Sequence, residues 1–140
     1  MTREFDLVVY GASGYTGRLV AEYLAQRYGA DRTLKWAMAG RTEAKLREVR
    51  AEIDAFEETP LIVADASNPE SLKSMARRTR CVVTTVGPYQ LYGEPLIAAC
   101  VENGTDYVDL CGEPAWMRAM IDKYEAAAKK SGARIVFSCG

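Results

Sequence analysis

Glycines recur at every third position in a short segment near the N-terminus, residues 11–17. The spacing G-x-x-G-x-x-G is a variant of the G-x-G-x-x-G fingerprint of dinucleotide-binding proteins. In that fingerprint the first glycine makes a tight turn, the second lets the backbone approach a pyrophosphate, and the third lets a helix pack closely on a strand. The segment therefore predicts a pyrophosphate-binding loop. Its predicted contact residues are Gly11, Ser13, Gly14, Tyr15, Thr16 and Gly17.

The sequence on either side of this loop makes the motif more specific. Turns gather glycines for purely steric reasons, so the glycines alone decide little. Here the apolar run Phe5–Tyr10 predicts a strand before the loop, and apolar residues at helical spacing over 16–29 predict a helix after it. The start of that helix would offer amide N–H groups and the positive end of its dipole to phosphates. A Walker A loop is excluded, because no Gly-Lys-Ser/Thr sequence follows.

The residue after the second predicted strand, residues 34–40, bears on the choice of cofactor. Sites that prefer NAD have Asp or Glu there to hold the ribose 2′-hydroxyl. This chain has Arg41 instead, and a guanidinium is suited to a 2′-phosphate. Lys45, one helical turn further on, is positioned to join it. The pattern predicts NADP(H) as the cofactor; the alternative is that Arg41 is a solvated residue ahead of a helix.

Two further segments follow predicted strands at the same edge of the sheet. The strand at 60–64 ends in Asp65, which we expect to meet the adenine and which is equally well explained as a turn residue. The strand at 81–86 ends in a glycine–proline break, beside the point where the strand order should reverse and the nicotinamide half should cross the sheet. A plain turn would have the same sequence. The predicted contacts in these segments are Asp65, Ala66, Val86, Gly87 and Pro88.

Positioning these groups requires strands and helices that alternate along the whole chain. Six apolar or β-branched runs alternate with amphipathic segments, the pattern of a mostly parallel sheet whose right-handed crossovers place helices on both faces. We therefore predict an α/β fold, a Rossmann-type doubly wound six-stranded parallel sheet, in one dinucleotide-binding domain over residues 1–140. The predicted strands are 5–10, 34–40, 60–64, 81–86, 106–110 and 134–138, and the predicted helices are 16–29, 42–56 with Thr42 as N-cap, one capped by Asn68 or Ser67, 94–103 and 114–130.

The composition of the chain excludes several classes of protein. The 140 residues are 49% hydrophobic and 26% charged, which is ordinary for a globular protein and argues against disorder. The net charge is −1, with 18 basic and 19 acidic residues, so no nucleic-acid partner is expected. The densest basic cluster, residues 77–80, is expected at the end of a helix, where it complements the dipole. Neither a secretory signal nor a membrane-spanning segment is recognised, so we predict a cytoplasmic protein.

Histidine is absent from the sequence, and the four cysteines form no C-x-x-C pair. Zinc sites of the usual kind, Ser-His-Asp triads and Cys-His pairs are therefore excluded, and no metal is expected. The cysteines, Cys81 and Cys100 above all, are expected to be small buried side chains. No tyrosine is followed four residues later by lysine, which excludes the arrangement used by short-chain dehydrogenases.

Four longer phrases resemble a known family: YGASGYTGRLVAEYLA, WAMAGR, TTVGPYQLYGEPLIAACVENGTDYVDLCGE and RIVFSCG. Together they resemble the N-terminal domain of saccharopine dehydrogenase-like oxidoreductases, in the branch of the trans-acting enoyl reductases, over essentially the whole chain. The resemblance implies a Rossmann fold, an NADP(H) cofactor and hydride transfer to or from a small or acyl-type substrate. It also implies that the inner end of the cleft is lined by Tyr107, Asp109, Gly112 and Glu113.

Members of that family continue into a substrate and dimerisation domain. We therefore expect a longer parent protein that forms a homodimer through that domain, and a chain that is inactive or nearly so by itself. No catalytic residue is predicted: Tyr89, Tyr107, Cys111 and Glu113 can donate protons, but packing or capping explains each better, and Asp109 is equally well explained as a loop anchor. The leading hypothesis is an NADP(H)-dependent oxidoreductase domain, in which the cofactor performs the difficult step. The alternatives are a non-catalytic module that senses NADP(H) and a structural domain without a cofactor.

Overall fold

A parallel sheet of six strands forms the centre of the part of the chain that the computed structural model describes, residues 2–29 and 33–140. Its strands are β1 (Phe5–Tyr10), β2 (Trp36–Gly40), β3 (Leu61–Val63), β4 (Thr79–Thr84), β5 (Asp106–Val108) and β6 (Ile135–Val136). The helices are α1 (Tyr15–Tyr28), α2 (Glu43–Glu52), α3 (Pro69–Arg78), α4 (Tyr89–Tyr92), α5 (Glu94–Asn103) and α6 (Pro114–Ser131). The strand order is β3-β2-β1-β4-β5-β6.

This order reverses between β1 and β4. From β1 the chain moves outward to β2 and β3, then returns across the sheet to β4 and moves outward the other way to β5 and β6. The crossovers on the two sides of β1 and β4 diverge, which leaves a crevice at the carboxyl ends of these strands. The register pairs Tyr10 at the end of β1 with Thr84 at the end of β4, so both strands stop at the same level. The predicted doubly wound Rossmann topology is confirmed.

Two apolar clusters hold the helices to opposite faces of the sheet. On one face Val9 of β1 and Met38 of β2 pack in a cluster with buried residues of α1 and α2. On the other face Val8 of β1 and Val82 of β4 pack in a cluster with buried residues of α3, α5 and α6. Because neighbouring residues of a strand point to opposite faces, β1 contributes to both clusters and is covered on both sides.

Local signals place several helix ends where the sequence predicts them. The side chain of Asn68 accepts a hydrogen bond from the amide of Ser71, and Pro69 opens α3. Gly104 and Gly132 follow α5 and α6 with φ of 65° and 85°, a left-handed conformation in which glycine is not strained. Thr42 stands at the N-cap position of α2, as predicted, but its side chain makes no capping hydrogen bond. Among the described residues no helix is long and apolar enough to cross a membrane.

Other boundaries differ from the prediction. Strand β4 begins and ends two residues before the predicted range 81–86, because its extent is set by pairing with β1 from Phe5 to Tyr10. Strand β6 has two residues where five were expected. The short helix α4 was not predicted, since four residues cannot show a helical period. The basic cluster at 77–80 is divided between the end of α3 and the start of β4.

The cysteines differ in burial. Cys100 and Cys111 are buried, as expected, whereas Cys81 is only partly buried, which corrects the expectation for it. Burial raises the pKa of the Cys81 thiol to about 11, with the nearby carboxylate of Asp106 as a further cause. Cys139 is exposed, which corrects the general expectation of buried cysteines. It follows β6, a strand of only two residues at the edge of the sheet, so little of the sheet is available to cover it.

Candidate functional site

A cleft of about 580 Å³ lies at the carboxyl ends of the central strands, where the strand order reverses. Most of the residues predicted to contact the cofactor form its wall. They are Gly11, Ser13, Gly14, Arg41, Asp65, Ala66, Val86 and Gly87. The sequence therefore brings four separate segments together at one site, because parallel strands end at a common edge of the sheet.

Five predicted contact residues lie outside the wall of this cleft: Tyr15, Thr16, Gly17, Lys45 and Pro88. Tyr15 and Thr16 begin α1 with exposed side chains. Lys45 is exposed in the first turn of α2, and Pro88 lies just before α4. Their predicted contacts with the cofactor stay predictions. Gly17 is buried beneath the loop and packs against it.

Glycine is required at the first and third positions of the loop. Gly11 has φ of 90°, and a Cβ there would lie 2.8 Å from Oγ1 of Thr85 and 2.8 Å from Cγ2 of Val86. A Cβ on Gly17 would lie 1.9 Å from the carbonyl oxygen of Gly11. The loop therefore turns tightly against the end of β4, and α1 packs directly on the loop, as the fingerprint predicts.

The second glycine has a different environment. A Cβ on Gly14 would lie 3.4 Å from the carbonyl oxygen of Gly11, an ordinary contact, and φ is −81°. The amide of Gly14 donates to that carbonyl at 3.0 Å, and no side chain caps α1. The first amides of a helix have no acceptor within the helix. The start of α1 thus presents backbone donors beside the cleft, an arrangement that suits a phosphate.

Charged groups stand at the end of the cleft formed by β2 and β3. Arg41 follows β2 with an exposed side chain and lines the cleft. Opposite it, the amide of Ser67 donates to the carboxylate of Asp65 at 2.9 Å, and this hydrogen bond lowers the pKa of Asp65, with the charge of Arg41 contributing. Asp65 also accepts from the amide of Asn68 through its own carbonyl at 2.9 Å. Asp65 is therefore both a turn residue before α3 and part of the cleft wall.

Six residues of the cleft wall were not predicted from the sequence: Tyr10, Gly40, Ser67, Thr85, Leu91 and Tyr92. Tyr10 is only 2% exposed, and burial, followed by the carboxylate of Asp65, raises its pKa to about 12. Because Tyr10 ends an apolar strand, the sequence predicts a core residue there and gives no sign of a cleft. Gly40, Ser67 and Thr85 are direct neighbours of predicted residues, so extending each strand-end segment by one residue would have included them.

The segment that the sequence predicts to meet the nicotinamide follows β4 and lines one end of the cleft. The hydroxyl of Thr84 accepts from the amide of Val86 at 3.2 Å, and the Gly87–Pro88 peptide bond is cis. Leu91 and Tyr92 of α4 follow, with exposed fractions of 68% and 44%, and both face the cleft. This end of the cleft therefore has an apolar wall.

The candidate proton donors have structural partners instead of positions in the cleft wall. Tyr107 is fully buried, and its hydroxyl donates to the carboxylate of Asp109 at 2.5 Å. Asp109 is 1% exposed and also accepts from the amides of Cys111 at 2.9 Å and Ser138 at 2.8 Å. Asp109 thus anchors the loops after β5 and β6, as one of its two explanations predicts. The resemblance places Tyr107, Asp109, Gly112 and Glu113 at the inner end of the cleft, and none of them belongs to its wall.

Relatives with known names match almost the whole chain. It is 50% identical over 139 residues to a protein of Mycobacterium leprae named trans-acting enoyl reductase, and 49% identical to its namesake in Mycobacterium ulcerans. In both cases the match covers 99% of this chain and 32% of the relative. The chain therefore spans about a third of the length of these relatives.

Solved structures share the fold. Apo saccharopine dehydrogenase (L-Glu forming) from Saccharomyces cerevisiae matches with a TM-score of 0.74 at 16% identity, over 97% of this chain and 27% of that one. Triphenylmethane reductase of Citrobacter sp., complexed with NADP(H), matches with a TM-score of 0.67 at 18% identity, over 94% of this chain and 48% of that one. At these identities the likeness supports the fold alone.

A family model described as the saccharopine dehydrogenase NADP binding domain matches residues 7–136. The match includes the glycine loop, the Arg41 segment and the end of β4, the segments that form the cleft. It confirms the predicted cofactor class, NADP(H), and the resemblance on which the prediction partly rested. The chain belongs to the family of saccharopine dehydrogenase NADP-binding domains.

Proposed function

We propose that NADP(H) lies across the cleft with its adenosine half at Arg41 and its nicotinamide half at the segment after β4. The pyrophosphate lies on the glycine loop, close to the backbone of Gly14 and the first amides of α1. The adenine lies beside Asp65 and Ala66. The ring of the nicotinamide lies over Val86 and Gly87, with Pro88 shaping the turn.

The observation that supports this orientation best is the exposed guanidinium of Arg41 in the cleft wall, directly after β2. An NAD site would have a carboxylate at this position to accept the 2′-hydroxyl. A guanidinium gives charge-assisted hydrogen bonds to a 2′-phosphate, and Lys45 is near enough in sequence to add a second positive charge. The carboxylate of Asp65 is close enough to Arg41 for the positive charge to lower its pKa, so this end of the cleft carries groups of both signs.

The test is a calorimetric titration of the chain with NADPH and separately with NADH. Charge-assisted hydrogen bonds to the 2′-phosphate contribute about 1.5–3 kcal/mol each, so NADPH should bind about tenfold more tightly or better. Arg41→Ala should abolish this preference. Arg47→Ala is the matched control, since Arg47 is an exposed arginine on α2 that pairs with Glu43 and lies outside the cleft wall. Equal affinity for the two cofactors in the unchanged chain would refute the assignment of Arg41.

For the parent protein we propose hydride transfer between NADP(H) and an acyl-type enoyl substrate, as the names of the mycobacterial relatives indicate. The cofactor supplies the hydride, and the residues of this chain bind and orient it. We place the substrate site, the proton donor and the contacts of a homodimer in the part of the parent protein that corresponds to the two-thirds of these relatives not spanned by this chain. A cytoplasmic location stays a prediction from the sequence.

A non-catalytic NADP(H) sensor is the second candidate. It is favoured by one observation: Tyr89, Tyr107, Cys111 and Glu113 all lie outside the cleft wall, so none of these proton donors faces the cofactor within this domain. The same titration extended to NADP⁺ separates the two functions. A sensor binds NADPH and NADP⁺ with strongly different affinities, whereas a domain that only holds the cofactor during turnover has no need to distinguish them.

A further inference from the structure

The carboxylate of Glu113 is bound to the backbone of α4. Oε2 accepts from the amide of Tyr89 at 2.8 Å, and Oε1 accepts from the amide of Gln90 at 3.0 Å. These amides open α4, so they have no acceptor within that helix. One side chain, 23 residues further along the sequence, therefore satisfies two backbone donors and fixes the start of α4.

Trp116, three residues after Glu113, makes two apolar contacts that also fix α4. Trp116, in the first turn of α6, is buried with its ring centroid 5.8 Å from that of Tyr89. A Cβ on Gly93, just after α4, would lie 2.5 Å from Cζ2 of Trp116. Only glycine therefore allows the chain to pass so close to this indole. Together Glu113 and Trp116 contact the start of α4 and Gly93, the residue that follows it.

Helix α4 presents two of its four side chains to the cofactor cleft. Leu91 and Tyr92 line the cleft together with Gly87, which lies two residues before α4. The adenosine end of the cleft is formed by other segments, which end β2 and β3 and include Arg41 and Asp65. A change in the position of α4 would consequently alter one end of the cleft and leave the other end in place.

We propose that Glu113 is a positioning residue for the nicotinamide half of the cofactor. It acts through the backbone of α4, which it holds so that Leu91, Tyr92 and the preceding turn form a fixed wall for the ring. This inference rests on the proposed orientation of NADP(H) in the cleft. It assigns a function to a carboxylate that touches neither the cofactor nor the cleft.

The experiment compares two ligands that occupy different lengths of the cleft. NADPH spans the whole cleft, whereas adenosine 2′,5′-bisphosphate has only the groups assigned to the Arg41 end. Glu113→Gln keeps the size of the side chain but replaces one acceptor oxygen with a donor NH₂, so one of the two amides loses its partner. We expect this variant to bind NADPH about tenfold more weakly, because the wall is correctly placed in only part of the molecules. Its affinity for adenosine 2′,5′-bisphosphate should stay within about twofold of that of the unchanged chain.

Glu125→Gln on α6 is the matched control, because Glu125 is an exposed glutamate outside the cleft wall and should alter neither affinity. The fluorescence anisotropy of the reduced nicotinamide, measured at saturating NADPH, gives an independent readout. It should be lower in Glu113→Gln than in the unchanged chain, because a looser wall leaves the ring freer. A merely structural effect would not move this signal once the site is full.

Each other result has a definite meaning. An equal loss of affinity for both ligands would refute the inference, since it would make Glu113 a general stabiliser of the domain. Unchanged NADPH affinity and unchanged anisotropy in Glu113→Gln would refute it too. If the unchanged chain binds neither ligand, the proposed cofactor site itself fails, which is a different outcome from the failure of Glu113.

Discussion

Gly17 and Gly14 belong to the same motif but face different surroundings. A Cβ on Gly17 would meet the carbonyl oxygen of Gly11 at 1.9 Å, which is backbone and cannot rotate away. A Cβ on Gly14 would meet that oxygen at 3.4 Å, and its φ of −81° is open to any residue. The third glycine is therefore needed for folding, whereas the second is needed only if a ligand approaches the backbone.

Substitution by alanine should separate these two needs. Gly17→Ala should lower the free energy of unfolding by about 2–3 kcal/mol, because the loop and α1 must move apart. Gly14→Ala should change it by less than about 0.5 kcal/mol but weaken NADPH binding, because the methyl group stands where the phosphate approaches. Urea unfolding and calorimetry on both variants provide the check. A Gly14→Ala variant that binds NADPH normally would contradict the assigned position of the pyrophosphate.

Residues of the cleft divide into those that a sequence can indicate and those that it cannot. Arg41 is recognised because it stands where a carboxylate is expected, directly after a strand. Tyr10 is missed, since an aromatic residue at the end of an apolar run is typical of a core. Glu113, outside the cleft wall, is expected from the sequence to pack or cap, but its bond to Tyr89 joins residues 24 positions apart, so no local pattern shows what it caps. Local motifs therefore indicate the glycine loop and the Arg41 segment of the cleft wall, while the wall formed by α4 depends on tertiary packing.

At the scale of elements, Arg3 joins the ends of two helices that neighbour each other on one face of the sheet. Its guanidinium donates to the carbonyl oxygens of Ala76 at 2.8 Å and Arg77 at 2.9 Å in the last turn of α3, and to that of Asn103 at 2.5 Å at the end of α5. Carbonyls at a helix end have no partner within the helix, and a cation there also complements the dipole. Arg3 thus fixes α3 and α5 together at the end of the sheet opposite the cleft.

Removal of this guanidinium should weaken the whole domain without altering the cofactor site. Arg3→Ala should lower the free energy of unfolding by about 2 kcal/mol, since partly buried carbonyls lose charged donors. Arg77→Ala is the matched control, because Arg77 is an exposed arginine in the same last turn of α3 and shares the interaction with the dipole. Urea unfolding measures both variants. Equal losses for Arg3→Ala and Arg77→Ala would mean that the dipole, and not the bridge between helices, is what Arg3 supplies.

Elements with strong local signals are predicted best. Helix α5 is predicted residue for residue, because proline near its start and Gly104 after its end mark it in the sequence. Strand β4 is displaced by two residues in the prediction, since the apolar run continues to Val86 while pairing with β1 begins at Thr79 and ends at Thr84. The register of a strand is set by its partner, and the partner of β4 is β1, whose paired residues lie 74 positions earlier in the chain.

At the scale of the whole molecule, charge and burial limit the pH range of stability from two sides. On the acid side, the hydrogen bond from Lys123 lowers the pKa of Glu94 from its ordinary 4.5, and the hydrogen bond from Arg78 does the same for Glu4. A lowered pKa in the folded state gives stability that is present above the ordinary pKa and is lost as pH falls through the folded one. Stability should therefore decrease below about pH 4.5. Both carboxylates are substantially exposed, so salt should weaken the stabilisation that these two ion pairs provide.

On the alkaline side burial raises the pKa of several thiols and phenols, among them Cys81 and Tyr10. Burial raises the pKa of Cys81 from 9.0 to about 11 and that of Tyr10 from 10.0 to about 12. Above pH 9 the unfolded chain releases the thiol proton while the folded chain keeps it, so stability is complete below pH 9 and is lost as pH rises toward 11. The phenol acts in the same way about one unit higher, because its two pKa values are both higher.

Cys81→Ala isolates the first of these two groups. The substitution changes stability by a constant amount at neutral pH, but it removes the thiol that titrates, so the loss between pH 9 and 11 should be smaller by about 2 kcal/mol than in the unchanged chain. Urea unfolding in the presence of a reducing agent, repeated at steps from pH 7 to 11, gives the two curves. Parallel curves would show that Cys81 ionises equally in the folded and unfolded chain. A smaller loss between pH 9 and 11 in Cys81→Ala would instead show that the folded chain holds this thiol protonated within the sheet, where β4 pairs with β1.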